Sequence, residues 1–250
     1  MKVKDILEFL NKTAPFSTGE SFDNIGLLIG KKLQKATNIL IAVDLTRELV
    51  EKAVSEKNDL IITHHPYIFE PMKRIEDPLI IDLIKNDISY IALHTNYDHS
   101  RLNDEFSKLL HLQNVTKIHK GDNGGFYGGI GELNPPMKAM DYIDLLKREF
   151  NLTAVRTVGD REDNISRVAY GNGSTGDFID ETMSLDCDVY VTGEVKYHDA
   201  VSYHNKGFFV IELGHYESES FFAEDLKTLF VTEYPKLKVQ TYLLPIMKRV

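Results

Sequence analysis

The run Asp59-Leu60-Ile61-Ile62 ends in Thr63-His64-His65-Pro66-Tyr67, and that ending restricts what the chain can build around it. The apolar residues read as a buried strand. Side chains on a strand alternate between faces, so a continued strand would bury one imidazole and expose the other. Pro66 stops the ladder and holds His65 extended, which lets both rings fan out beyond the strand end. Open α/β sheets bind ligands there. Neutral imidazole is the commonest nitrogen donor to transition metals.

The flanking pattern predicts an α/β fold. Asn38–Asp44 (NILIAVD) reads as a buried strand, and Thr46–Lys57 as an amphipathic helix with Thr46 as its N-cap. After the His-His strand come a helix over Pro78–Asn86, a strand over Ile88–Asp98 and a helix over Leu102–Leu110. Strands alternating with helices imply a mainly parallel sheet covered on both faces. Glycines 121, 124, 125, 128, 129 and 131 mark a connection and a short strand, Phe126–Leu133, with no phosphate-loop pattern. Pro135-Pro136 then opens a helix through Phe150. Strands follow at Leu152–Val158, Ile165–Gly171, Asp188–Thr192, Phe208–Leu213 and Lys236–Leu244, with helices at Asp177–Leu185, His198–Asn205 and Ser218–Phe230.

The order repeats. NILIAVD, DLIITHHP and IALHTNYD are echoed by SRVAYGN, DVYVTGEVKYHDA and FFVIELGHYESE, so two similar halves are expected, residues 1–122 and 123–250. Two such halves facing each other would bring four polar strand ends into one shared cleft. In HTNYD, the strand reading puts His94, Asn96 and Asp98 on one face with Asp98 at the mouth. His94 is either a hydrogen-bonded core residue or a group that orients others. In GHYESE, Ser218 is expected to cap the last long helix, with His215 and Glu219 folded back over the strand end. Glu217 and Glu219 would equally complement the helix dipole. Glu194 and His198 share a face if TGEVKYH turns helically; they are either proton movers or the start of a surface helix. Asp23-Asn24 reads as a turn that caps its own backbone.

His64, His65, Asp98, His215 and Glu219 together exceed what one tetrahedral site needs. They suit two divalent ions, and the nitrogen and oxygen donors fit zinc, iron, manganese or cobalt. Two such ions activate water near neutral pH, which makes a dinuclear metallohydrolase the reading of the residues themselves. Composition agrees. The single cysteine, Cys187, rules out an intramolecular disulfide and a Cys-rich zinc site. A formal net charge of −9 argues against broad nucleic-acid binding but leaves room for a small anionic substrate at bound cations. No apolar run reaches membrane-spanning length and the first residues lack a signal-peptide core, so a cytoplasmic protein is expected.

SFDNIGLLIG, ITHHPYIF, ALHTNYDHS, GFYGGIGEL, VTGEVKYHD and ELGHYESE, in this order, resemble the NIF-three-like family, also called GTP cyclohydrolase I type 2 homologues. The resemblance spans the chain. It implies two similar α/β halves, a dinuclear metal centre in their cleft, and a ring-shaped homohexamer built as a trimer of dimers. It carries the family's metal ligands onto His64, His65, Asp98, His215 and Glu219, all present. Longer relatives insert a domain between the halves, and the short stretch around Gly121–Gly125 leaves no space for one. The implied activity is hydrolytic opening of the GTP imidazole ring with release of formate, with Glu194, His94 or His198 moving protons. The alternatives are a two-metal phosphoesterase and a non-catalytic metal-binding scaffold for a protein partner.

Overall fold

The structure, a computed structural model, describes residues 1–248. The chain divides into two compact units, one of Met1–Ser100 with Ser220–Leu244 and one built on Arg101–Glu219.

The first unit runs α1 (Val3–Thr13), β1 (Gly26–Ile29), β2 (Asn38–Ala42), α2 (Arg47–Ser55), β3 (Leu60–Thr63), α3 (Pro78–Lys85), β4 (Ser89–Ala92) and α4 (Thr95–Tyr97). Helix α2 starts where predicted, because Thr46 Oγ1 accepts from the Leu49 amide at 3.2 Å. Asp77 Oδ1 caps α3 through the amides of Leu79 and Ile80, with Pro78 in the first turn. Strands β2, β3 and β4 pair in parallel, and β1 closes one edge antiparallel to β4. Ile39, Leu40, Ile41, Leu60, Ile61, Ile62, Tyr90 and Ile91 are fully buried, as strands covered on both faces must be.

The second unit runs α5 (Asn103–Leu109), β5 (Gln113–Lys120), β6 (Phe126–Lys138), α6 (Ala139–Glu149), β7 (Arg156–Val158), β8 (Asn164–Gly171), α7 (Ile179–Thr182), β9 (Val189–Thr192), α8 (Tyr197–Asn205), β10 (Val210–Glu212) and α9 (His215–Glu219). The chain then adds α10 (Phe222–Glu233) and β11 (Lys238–Thr241), and β11 pairs in parallel with β2 of the first sheet. The sheets are ordered β1-β4-β3-β2-β11 and β5-β6-β8-β9-β10-β7. Both are mixed and mainly built around a parallel trio, β2-β3-β4 in one and β8-β9-β10 in the other. Among the described residues no helix is long and apolar enough to cross a membrane.

The two sheets share individual bonds at matching strand ends. Leu93 N donates to Thr63 O and Leu213 N to Thr192 O, each at 2.9 Å, so Thr63 and Thr192 end equivalent strands. Asp59 Oδ2 accepts from Thr37 N, Thr37 Oγ1 and Asn38 N. Asp188 Oδ2 repeats this with Ser166 N, Ser166 Oγ and Arg167 N. Each aspartate therefore fixes the register between the first two strands of its parallel trio.

Several local expectations fail for physical reasons. Strand β5 was not expected, because an exposed edge strand of sequence QNVTKIHK carries no apolar alternation. Pro135 and Pro136 lie in β6 instead of opening a helix. The β6–β8 register breaks between Glu132 and Met137, where a residue without an amide proton costs no ladder bond. The helix expected over Ser218–Phe230 is two pieces, α9 and α10.

Burial pushes the Asp59 and Asp188 carboxyls up, but the bonds from Thr37 and Ser166 and their neighbours outweigh it, and both sit below the ordinary value. A depressed native pKa stabilises above the unfolded value and is lost as pH falls through the native one. Asp59→Asn and Asp188→Asn should therefore each cost about 1–2 kcal/mol in urea unfolding at pH 7. The difference from wild type should shrink as the pH falls below about 4.

Candidate metal centre

The imidazoles of the first unit are placed by backbone that cannot move freely. Tyr90 lies fully buried on β4, and its hydroxyl donates to His65 O at 3.1 Å, accepts from Tyr67 N at 2.9 Å and bonds Thr63 Oγ1 at 2.7 Å. Burial pushes this phenol up to about 12, so it remains a hydroxyl and can both donate and accept. With His65 N bonded to Val43 O at 3.0 Å, the turn after β3 is held on both sides.

Each ring is then turned by its Nδ1 edge. His64 Nδ1 lies 2.8 Å from Leu93 O, His65 Nδ1 2.7 Å from Asp44 Oδ1, and His94 Nδ1 3.0 Å from Asp23 Oδ1. A carbonyl or carboxylate oxygen only accepts, so all three Nδ1 atoms carry the proton, and the neutral form of each ring has its lone pair on Nε2. This is the tautomer a metal-ligating histidine uses when its second nitrogen is anchored. The ring centroids lie 5.0 Å apart for His64 and His65, 5.4 Å for His64 and His94, and 5.6 Å for His65 and His94. Phe222 packs on His64 with ring centroids 5.0 Å apart.

Asp98 is placed differently from the strand reading. The strand ends at Ala92, and HTNYD is a helical turn: α4, followed by a π-helical turn over Asp98–Leu102. Asn96 makes the bend, its Oδ1 accepting from His94 N at 3.1 Å and its Nδ2 donating to Ala14 O at 2.8 Å. His94 and Asp98 are thus brought to one side by helical spacing, with Asp98 N bonded to His94 O. Asp98 Oδ1 lies 3.5 Å from His64 Nε2.

Asp23 does more than cap its own turn. It accepts from Asn24 N at 2.9 Å, and also from Thr95 N, Thr95 Oγ1 and His94 Nδ1. Burial raises its pKa, but the hydrogen bond and charge of His94 and the bonds from Thr95 outweigh that, holding the carboxyl below its ordinary value.

In the second unit, Gly214 adopts φ +110°, a backbone suited to glycine, and lets the chain turn from β10 into α9. His215 and Glu219 stand one helical turn apart, with Nε2 3.2 Å from Oε2. His215 Nδ1 faces Glu194 Oε2 at 3.4 Å. Asn172 Nδ2 reaches Glu219 Oε1 at 3.3 Å. Ser218 is no helix cap; its hydroxyl accepts from Gly173 N at 2.9 Å and donates to His215 O at 2.8 Å.

Glu194 lies before α8, which begins only at Tyr197, so it and His198 do not share a helical face. The His198 side chain is 77% exposed and faces Asp199 at 3.4 Å. His99 and Glu20 form a buried pair at 2.9 Å. His119 is buried between Glu181 and Thr182.

One ligand atom from each of His64, His65 and Glu219 lies within 4.8 Å of the others. Two imidazoles with anchored Nδ1 edges and a nearly fully buried carboxylate fit a divalent transition metal. Asp44, Asp23, Asn172 and Ser218 were missed in the sequence as partners of the donors. The aspartate that closes NILIAVD was the one visible signal.

In NMR spectra of the metal-free protein at neutral pH, His64, His65 and His94 should all appear as the Nδ1–H tautomer. Asp44→Ala should shift His65 alone toward the Nε2–H form that free imidazole favours.

Residues 1–249 match the Duf34/NIF3 (NGG1p interacting factor 3) family. The chain is 34% identical over 228 residues to a Clostridium perfringens protein named GTP cyclohydrolase 1 type 2 homolog, covering 88% of this chain and 87% of that one. A Campylobacter jejuni protein of the same name is also 34% identical, covering 92% and 93%. The crystal structure of a Staphylococcus aureus hypothetical protein, SA1388, aligns with a TM-score of 0.87 at 27% identity over 100% of this chain and 99% of that one. The chain therefore belongs to the Duf34/NIF3 family.

Proposed function

We propose that the protein is a metal-dependent hydrolase with a dinuclear centre held by His64, His65, Asp98, His215 and Glu219. The observation that carries this reading is the His64, His65 and Glu219 group, whose donor atoms lie within 4.8 Å of one another. Asp98 is linked to it through His64 at 3.5 Å, and His215 through Glu219 at 3.2 Å. When bound, two divalent ions such as zinc, iron or manganese would polarise a water and the substrate bond it attacks.

The chain's own residues supply the rest. Leu93 O and Asp44 fix the orientation and the tautomer of the two ligating rings by accepting from their Nδ1–H groups. His94, fixed by Asp23 on Nδ1, presents Nε2 as a group able to take or return a proton. Glu194, 44% exposed and beside His215, can exchange protons with bulk water. His198, exposed on α8 beside Asp199, is left out of this set.

The substrate proposed is a nucleotide, with GTP as the candidate that relatives' names supply. In that reaction water adds at the purine C8, the imidazole ring opens to a formamide, and a second water releases formate. Family likeness also supports assembly as a homohexamer.

Metal-reconstituted protein should hold about two ions per chain by elemental analysis and release formate from GTP. His64→Ala with His65→Ala should lose the ions and the formate together. Ion binding without formate release, alongside turnover of phosphoesters, would move the substrate assignment and keep the centre. Fewer than one ion per chain would remove the centre itself.

A further inference from the structure

Gly173, between β8 and α7, has no side chain for a reason that lies in the second unit's donors. Its φ is +57°, and a Cβ placed there would overlap Glu219 Oε1 and lie 3.1 Å from Glu219 Cδ and 3.4 Å from His215 Nε2. The space a side chain would take is the space the Glu219 carboxylate occupies. The backbone around this gap is pinned from three sides. Gly173 N donates to Ser218 Oγ, Ser218 Oγ donates to His215 O, and Glu194 N donates to Gly173 O at 3.0 Å. Gly193 is excluded from bearing a side chain by the same packing, since a Cβ there would overlap Gly173 O and crowd Ser218 Oγ at 2.5 Å. Asn172, the preceding residue, reaches the same carboxylate with its side-chain amide.

We propose that Gly173, clamped by Ser218, is a positioning residue: a socket without a side chain that seats the Glu219 carboxylate and sets the His215–Glu219 pair for a cation. One hydroxyl fixes the His215 carbonyl and the socket backbone together, so the imidazole and the carboxylate are placed as a unit. The first unit does the corresponding work with side chains, Asp44 and Asp23, and the second with a glycine and a serine. The inference rests on the metal-centre reading and adds residues to it.

A left-handed glycine replaced by alanine is strained wherever it lies, so the test needs a matched control. Gly207 in the same unit supplies it: φ is +71° and a Cβ there meets nothing within 4 Å. The readouts are the affinity for Co(II) by titration calorimetry, the visible absorption of bound Co(II), and the melting temperature of the metal-free protein. Gly207→Ala should lower the melting temperature through backbone strain alone, and Gly173→Ala by at least as much. Gly173→Ala should also weaken Co(II) binding by about 10–100-fold and alter the absorption, whereas Gly207→Ala should leave both unchanged. Ser218→Ala should weaken binding in the same direction without the backbone strain. If wild type binds Co(II) and both socket variants match it, the socket role is overturned and the centre stands. If wild type binds no Co(II), the metal reading falls and the socket role falls with it.

Discussion

The proton on Nδ1 of His64 lies against the carbonyl of Leu93, the first residue past the end of β4. That carbonyl has run out of strand to pair with, and the imidazole takes the bond instead. The result fixes the ring, its tautomer and the direction of its lone pair at once. His65 obtains the same result from Asp44, which lies two residues past the end of β2. Both anchors are consequences of parallel strands ending side by side. A parallel sheet aligns its carboxyl ends, and groups left unpaired there become available to hold side chains. The site chemistry therefore depends on strand register, and the register depends on Asp59 at the start of β3.

The two units reach a similar donor set by different means. Their parallel trios share strand order and specific bonds, with Thr63 matched by Thr192 and Asp59 by Asp188. The residues past the strand ends diverge. The first unit carries adjacent histidines where the second carries Gly193 and Glu194, and His215 enters from the helical turn after β10 instead. A shared scaffold with unlike loops is expected when function resides in strand-end segments and the framework beneath them is built from burial.

Much of this was legible in the sequence because the signals were local. Buried strands such as NILIA announce themselves by unbroken β-branched and aliphatic runs, and α2 and α3 by Thr46 and by Asp77-Pro78. His64 and His65 were legible as candidate ligands because paired imidazoles at a strand end have few structural uses. What escaped was held by contacts across long stretches of chain. Asp23 lies 71 positions from His94 and Asn96 82 positions from Ala14, and no local pattern encodes either. That second contact accompanies the helical turn of HTNYD, which takes Asp98 off the strand. Ser218 was misread for a related reason: a serine before a helix suggests a cap, but its hydroxyl is already committed to Gly173 and His215.

In the proposed centre, strand-end anchoring leaves the Nε2 edges of His64 and His65 to meet a cation together with Glu219. Crystals of protein loaded with zinc, measured with anomalous scattering on both sides of the zinc edge, address it directly. The expected peak is bound by Nε2 of both histidines and a Glu219 oxygen at about 2.0–2.2 Å. A peak bound through Nδ1 would contradict it, and so would fully loaded crystals whose anomalous peaks all lie away from these three side chains.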